Sequence, residues 1–255
     1  MMAEPLLIID NVEKRYGDVV ALRGISAQVL NGSITAFVGP NGAGKTTLFH
    51  TISGDMHLDG GRIIYRDRTI NGMAPWRIAR LGMGRLYQDV CIFENLSVIE
   101  NALLALHDHP SQSAIVSLVQ WPFSRRIAVS RRESAEAFLI EAGVEPPFDR
   151  PANSLSFGNK KLLALARLMA GGFDMLLLDE PTSGLAPQMI GKVADILRNL
   201  VKTKGITIAL IEHNVSFVEE FADFTYVLNA GKISDEGPSR EVLSKEENRE
   251  LLIGL

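Results

Sequence analysis

The sequence predicts an α/β fold with a mainly parallel sheet, interrupted by a helical insert. Three observations carry this prediction. The stretches Ile34–Val38, Met175–Leu178 and Ile206–Ile211 are almost entirely apolar, as strands covered on both faces must be. Each leads into polar or glycine-rich residues and then a helix-compatible run. Between roughly 89 and 153 the strand texture gives way to capping boxes, helical runs and prolines, and from Asn153 it returns.

Taken in order, Leu6–Val12 reads as a first strand, followed by Tyr16 beside a turn glycine, Gly17. An aromatic there could stack on a purine or simply pack a turn. Ile25–Leu30 alternates apolar and polar, the pattern of a half-buried strand, and Asn31-Gly32 is a turn signal. The strand Ile34–Val38 then feeds Gly39-Pro40-Asn41-Gly42-Ala43-Gly44-Lys45-Thr46-Thr47, which satisfies every position of G-x-x-x-x-G-K-[ST]. Strand, glycine-rich loop and helix start are the context that this pattern requires. Its glycines let backbone N–H groups converge on phosphate oxygens, and the helix beneath adds the positive end of its dipole. Lys45 would reach the β- and γ-phosphates, and the Thr46 hydroxyl would take one Mg²⁺ position. The chain is therefore expected to bind a nucleoside triphosphate.

Gly60-Gly61 turns into a short strand, Arg62–Tyr65, and Gly82–Gln88 reads as a strand ending at a glutamine. Ser97-Val98-Ile99-Glu100 is a capping box opening a helix toward His107, and Ser130-Arg131-Arg132-Glu133 is a second, opening a helix through Ala142 that Gly143 stops. Residues 108–128 hold Pro, Ser and Trp without clear periodicity, and Pro146, Pro147 and Pro151 mark the exit from the insert. Arg125, Arg126, Arg131 and Arg132 cluster there, either as a solvated helix face or as a contact for acidic headgroups or an acidic partner.

Asn153–Lys161 precedes a helical run, Leu162–Ala170. Met175–Glu180 is a buried strand closed by two carboxylates, the chemistry that phosphoryl transfer needs: one to hold Mg²⁺, one to orient or deprotonate water. Pro187 suits the first turn of the next helix, and His213 ends the last apolar strand, where it could meet a γ-phosphate or the attacking water. Asn214 is placed to cap the helix that follows, 226–236 reads as a hairpin, and 238–252 as short terminal helices.

Bulk properties narrow the function. The 255 residues are 46% apolar and 22% charged, the composition of a globular protein able to bury a core. A net charge of −4 argues against a nucleic-acid-coating protein. Cys91 is the single cysteine, so an internal disulfide and a cysteine-only metal cage are excluded and a reducing compartment is expected. No His/Cys/Asp/Glu spacing suggests zinc. Met1–Pro5 carries no basic segment, Leu6–Ile9 is too short for a signal peptide, and no apolar run approaches the roughly 20 residues of a membrane span. Any work at a membrane is expected to be peripheral. There is no internal repeat and no low-complexity tail.

The ordered set of Tyr16, Gly39–Thr47, Gln88, Leu155-Ser156-Phe157-Gly158, Met175–Glu180, Ser183-Gly184-Leu185-Ala186 and His213 resembles the nucleotide-binding subunit of an ABC transporter over essentially the whole chain. The resemblance implies a single P-loop NTPase (RecA-like) domain over 1–255. Residues 1–88 and 154–255 would form the core with an antiparallel β subdomain, and 89–153 a helical subdomain. It implies that Tyr16 stacks on adenine, that Gln88 senses Mg²⁺ and water, and that Ser156 and Gly158 contact a γ-phosphate. Asp179 would lie in the Mg²⁺ shell, with Glu180 as general base and His213 as the switch histidine. ATP and Mg²⁺ are the implied cofactors.

Two positions depart from the family pattern. The usual signature is Leu-Ser-Gly-Gly-Gln, and here Phe157 replaces its first glycine and Asn159 its glutamine. Ala186 stands where many relatives have an aspartate, which bears on how the two sites of a dimer communicate. With Ser156 and Gly158 retained, binding is expected to survive.

Glu180–Pro187, Ile92–Asn101, the arginine-rich insert and the ending Leu252–Leu255 resemble the ATPases of branched-chain amino-acid importers and their amide and urea relatives. The implied partners are a second, identical or related ATPase subunit, integral membrane permeases and, indirectly, an extracytoplasmic solute-binding protein, with no nucleic acid. The implied location is the cytoplasmic face of the inner membrane. An ABC exporter subunit, for instance one handling lipopolysaccharide, or a soluble ABC-type ATPase are the alternative readings.

Overall fold

A computed structural model describes residues 4–106 and 124–253. His107, His109, most of the 108–128 stretch and the last two residues of the chain ending lie outside them.

The described chain forms two compact units: Met1–Gln88 with Phe173–Ser183 and Leu197–Leu255, and Asp89–Gly172 with Gly184–Ile196. The first holds all the strands found among the described residues. β1 (Pro5–Tyr16), β2 (Val19–Leu30), β4 (Gly60–Tyr65) and β5 (Arg68–Thr69) make an antiparallel sheet of order β2-β1-β4-β5. β3 (Ile34–Val38), β6 (Met83–Leu86), β7 (Met175–Asp179), β8 (Thr207–Ile211), β9 (Phe224–Asn229) and β10 (Lys232–Pro238) make the second, of order β10-β9-β3-β8-β7-β6. That sheet is parallel except for the β9–β10 hairpin. Every residue of β3, β7 and β8 is buried, which explains why these strands read as unbroken apolar runs.

The core of this unit lies between the two sheets. Leu7, Ile9 and Val12 of β1 and Leu22, Ile25 and Val29 of β2 meet Phe37 of β3 and Leu48, Phe49 and Ile52 of α1 (Lys45–Ile52). Phe37 stacks on Tyr226 and meets Phe49 edge-on, at centroid distances of 5.3 and 5.8 Å. α2 (Pro75–Arg80) completes the stretch before β6.

The second unit is helical. α3 (Val98–Ala105), α4 (Ser124–Glu141) and α5 (Phe157–Ala170) pack on one another through Val98, Ile99, Ala102, Ala135, Leu139, Leu162 and Leu165. Residues 154–172 and 184–196, read from the sequence as part of the core, thus fall in the helical unit, the former because α5 presents a broad apolar face to the other helices. α6 (Pro187–Lys204) begins with Pro187 in its first position and runs from the second unit into the first. α7 (Val215–Phe221), capped by Asn214 through the Phe217 N–H at 3.1 Å, precedes β9. α8 (Ser239–Ser244) and α9 (Glu246–Ile253) close the chain.

The capping box at α3 forms as expected. Ser97 Oγ accepts the Glu100 N–H at 3.3 Å, and Glu100 Oε2 accepts the Ser97 N–H at 2.8 Å. Replacing Ser97 by alanine removes the first of these bonds and is expected to lower stability by about 1 kcal/mol, read as a shift in the urea midpoint at unchanged slope. Buried Asn101 spends both ends of its amide on the backbone, at Phe93 N, Phe93 O and Ser97 O, and so pins the loop before the helix.

The second box does not start its helix. α4 opens at Ser124, and Ser130 sits inside it, so Ser130 and Glu133 are an ordinary i, i+3 pair. Gly143 ends the helical segment at a φ of 73°. Arg132 bonds Glu136 and, through two nitrogens, Asp149. Arg131 reaches the Leu103 carbonyl, and the side chains of Arg125 and Arg126 lie outside the described residues.

Candidate functional site

β3 ends at Val38, and from Gly39 the backbone turns at once into a loop that closes on α1. An added Cβ on Gly39, at φ 153°, would lie 2.2 Å from the Leu228 carbonyl oxygen, and one on Gly44, at φ 102°, 2.7 Å from that of Ala21. Only glycine lets the loop press this closely on neighbouring backbone. Pro40 is half-buried, Asn41 and Gly42 are exposed, and Ala43 is buried and receives the Gly231 N–H on its carbonyl. Gly44 is the N-cap of α1, and no side chain caps the helix, so its first N–H groups and positive dipole end are left for an anion.

Lys45, the first residue of α1, is buried. Its Nζ donates to the Gly39 and Pro40 carbonyls at 2.8 and 3.0 Å, curling the loop around the ammonium. Burial pushes its pKa below the ordinary lysine value, and the charges of Glu180 and Asp179 act in the opposite direction. Thr46 is exposed at the helix start and Thr47 half-buried. Tyr16 closes the β1–β2 hairpin opposite Val19, half-exposed, with its hydroxyl 2.7 Å from the Met56 sulfur. Two residues past Val19, the Ala21 carbonyl is the one that lies against Gly44, so this hairpin flanks the glycine loop.

Asp179 and Glu180 emerge where β7 stops. Asp179 is buried. Its Oδ2 lies 3.8 Å from Nη2 of Arg85, and its Oδ1 is buried without a hydrogen-bond partner. Burial raises its pKa, and the Arg85 charge opposes that rise. An unpartnered carboxylate oxygen beside a phosphate-binding loop is the donor type that a hard divalent cation takes.

Glu180 adopts a left-handed backbone, φ 49°, a costly conformation for a non-glycine residue and one concentrated at functional sites. Its N–H bonds the Ile211 carbonyl at 3.0 Å, and the turn closes when Ser183 N–H returns to the Glu180 carbonyl. The side chain is then held from two sides: Gln88 Nε2 donates to Oε2 at 3.1 Å, and His213 Nε2 lies 3.1 Å from Oε1. Two residues far apart in sequence thus converge on the carboxylate of a third.

Two contributors were not singled out from the sequence. Glu212, buried, accepts both the N–H and the hydroxyl of Thr182 on Oε1, at 2.8 and 2.7 Å, and the His213 N–H on Oε2 at 3.2 Å. It ties the turn after Glu180 to the strand end that carries His213. Arg85 is the other. A charged residue inside an otherwise apolar strand, Met83-Gly84-Arg85-Leu86, was the available signal.

Ser156 and Gly158 belong to the helical unit. The sequence placed the helix start at Leu162, but α5 begins at Phe157, with Ser156 as its N-cap accepting the Asn159 N–H at 3.4 Å. The early start follows from that cap, which makes Ser156-Phe157-Gly158-Asn159 the first turn of a helix, exposed at Ser156 and Phe157 and half-buried at Gly158 and Asn159. Gly158 packs against Met189 and Leu185, and the Phe157 ring, half-exposed, fills the space over Gly184 with Lys161 Nζ 5.7 Å from its centroid. Among the described residues, no three His, Cys, Asp or Glu side chains could hold a metal ion by themselves.

A phosphate-binding loop at the end of a parallel strand, with two carboxylates ending a nearby strand of the same sheet, defines a nucleotide-binding ATPase of the P-loop class. Comparison with known proteins narrows this class. The family model described as "ABC transporter" matches residues 22–183. The high-affinity branched-chain amino acid transport ATP-binding protein LivG of Salmonella typhimurium is 33% identical over 241 residues, 94% of each chain. A solved nucleotide-free ATP-binding cassette from an ABC transporter superposes with a TM-score of 0.81 at 30% identity, covering 99% of this chain and all of its own. A cassette in its ADP conformation gives 0.80 at 30% identity over the same shares. The chain belongs to the ABC transporter family, as one of its ATP-binding, ATP-hydrolysing subunits.

Proposed function

We propose that this subunit powers import of branched-chain or other hydrophobic amino acids, working at the cytoplasmic face of the inner membrane beside integral permeases and, through them, an extracytoplasmic solute-binding protein. No helix among the described residues is long and apolar enough to cross a membrane, so the solute path would lie in other chains. Similarity to LivG over nearly the whole chain supports an importer of this solute class over an exporter or a soluble ATPase.

The observation that carries the mechanism is the clasp of Gln88 and His213 on the two oxygens of Glu180. A carboxylate so oriented takes the proton of the attacking water as general base. Lys45 exchanges its two loop carbonyls for phosphate oxygens, and the N–H groups of Gly42 and of Gly44–Thr47 complete the cradle, that of Ala43 being held by the Pro40 carbonyl. Tyr16 stacks on the adenine. Thr46, Asp179 and Gln88 supply the oxygen donors for Mg²⁺, which screens the phosphate charge when bound. Ser156 and Gly158, at the start of α5, present backbone N–H groups to the γ-phosphate held by a second ATPase chain, identical or related, so that each catalytic centre is a composite of two subunits. Hydrolysis removes the shared anion and lets the pair separate. No nucleic acid takes part.

Uptake in the native host tests the reading. Deleting the gene is expected to abolish high-affinity uptake of radiolabelled leucine, isoleucine or valine, with recovery by the wild-type copy and none by Lys45→Met. Undiminished uptake together with altered surface lipopolysaccharide would replace the importer reading by the exporter one.

A further inference from the structure

Arg85 is a buried cation that the mechanism above does not use. Its side chain is only 6% exposed. Nη1 donates to Asp55 Oδ2, to Ser53 Oγ and, at 3.4 Å, to the Phe49 carbonyl, which fastens the guanidinium to the C-terminal turn of α1. Its central carbon sits 4.3 Å from the Tyr87 ring centroid, and the Tyr87 hydroxyl returns to Asp55 at 3.2 Å. Ser53 Oγ also donates to Asp55 Oδ2, at 2.6 Å. The plane of the guanidinium is therefore fixed.

Fixed in this way, it spends only part of its donor set. Nε and Nη2 are buried without a hydrogen-bond partner, and Nη2 faces Asp179 Oδ2 at 3.8 Å, beyond hydrogen-bond range but close for two charges. Leaving buried donors unpaired is costly, and an apolar side chain of similar volume would commonly be cheaper. Stability alone does not account for an arginine here. What the arrangement accomplishes is asymmetry at Asp179: one oxygen faces a fixed positive charge and the other is left without a partner.

We propose that Arg85 is a positioning residue that orients the Asp179 carboxylate and holds it ready for the nucleotide-associated divalent cation. The inference rests on the reading of Asp179 as a cation ligand. Groups that orient a metal ligand from behind commonly tune metal affinity by about 10–100-fold. Because Tyr87 stacks on Arg85 and precedes Gln88, the same guanidinium also braces the strand end from which Gln88 reaches Glu180.

The test titrates Mg²⁺ into the full chain with a fluorescent ATP analogue and reads the concentration giving half-maximal Mg²⁺-dependent binding, with binding in EDTA as control. Arg85→Met is expected to raise that concentration about tenfold or more, Arg85→Lys to raise it less, and binding in EDTA to stay within about twofold of wild type. Asp55→Asn, which loosens the anchor without touching Asp179, moves the value in the same direction and serves if Arg85→Met does not fold. Asp179→Asn separates the two readings. If it raises the Mg²⁺ requirement while the Arg85 and Asp55 variants do not, the positioning role is overturned and the ligand stands. If Asp179→Asn leaves the requirement unchanged, the ligand reading fails and this inference with it. Equal losses with and without Mg²⁺ in Arg85→Lys would reduce Arg85 to a structural tie between β6 and the end of α1.

Discussion

Glu180→Gln is expected to lower ATP turnover by about 10²–10⁴-fold, the usual contribution of a general base, while nucleotide affinity is retained. The substitution is nearly isosteric. It keeps one side-chain oxygen to accept from Gln88 or His213, and it leaves untouched the backbone turn from the Ile211 carbonyl to the Ser183 N–H. What it removes is the ability to take a proton from water. If the first turn of α5 completes the site of a second subunit, the variant holds uncleaved ATP between two chains and elutes as a dimer by size exclusion with ATP and as a monomer without it. Persistence of a monomer with ATP would refute the composite site, and near-normal turnover would refute the role of Glu180. His213→Ala and Gln88→Ala each release one of the two oxygens without removing the base, so their losses should be smaller.

Parts of this architecture were legible in the chain, for reasons specific to each element. β3, β7 and β8 announce themselves because strands covered on both faces carry no polar punctuation, and the glycine loop because its close approaches to Leu228 and Ala21 allow no other residue. Asn214 and the box at Ser97 were readable because a cap is a local contract between a side chain and an N–H three residues away. The box at Ser130 failed for the same reason: the local pattern is identical inside a helix, and the helix start lay upstream. Gln88, Glu180 and His213 could each be placed at a strand end. Their meeting on one carboxylate depends on β6, β7 and β8 being neighbours in the sheet, which is tertiary information. Arg85 and Glu212 were hidden more deeply, because the partners that give them their roles, Asp55, Asp179 and Thr182, lie 30 residues or more away and a single charge in a short strand carries no periodicity. The extent of the helical unit escaped as well, since 154–172 joins it through the packing of α5 and not through any break in composition.

Lys45→Met separates what the fold asks of this lysine from what the nucleotide asks. In the free protein the ammonium is buried, its pKa is lowered by that burial, and its hydrogen bonds go to two carbonyls of its own loop. Removing it forfeits two charge-assisted bonds, each worth about 1.5–3 kcal/mol, but also ends the desolvation of a charge, and methionine fills most of the vacated volume. Trades of this kind commonly come out close to even or slightly favourable. The nucleotide-free stability of the variant is therefore expected within about 1 kcal/mol of wild type. ATP should act quite differently on the two proteins. At a hundred times its dissociation constant, the nucleotide stabilises wild type by about 2.7 kcal/mol, which for a chain of this length raises the melting temperature by roughly 5–10 °C. Without the ammonium to meet the phosphates, that shift should vanish at the same ATP concentration. Thermal unfolding with and without ATP reads both quantities from one sample. A variant that still gains several degrees from ATP would remove Lys45 from the phosphate site, and one that melts far below wild type without nucleotide would show that the lysine holds the loop together before any ligand arrives.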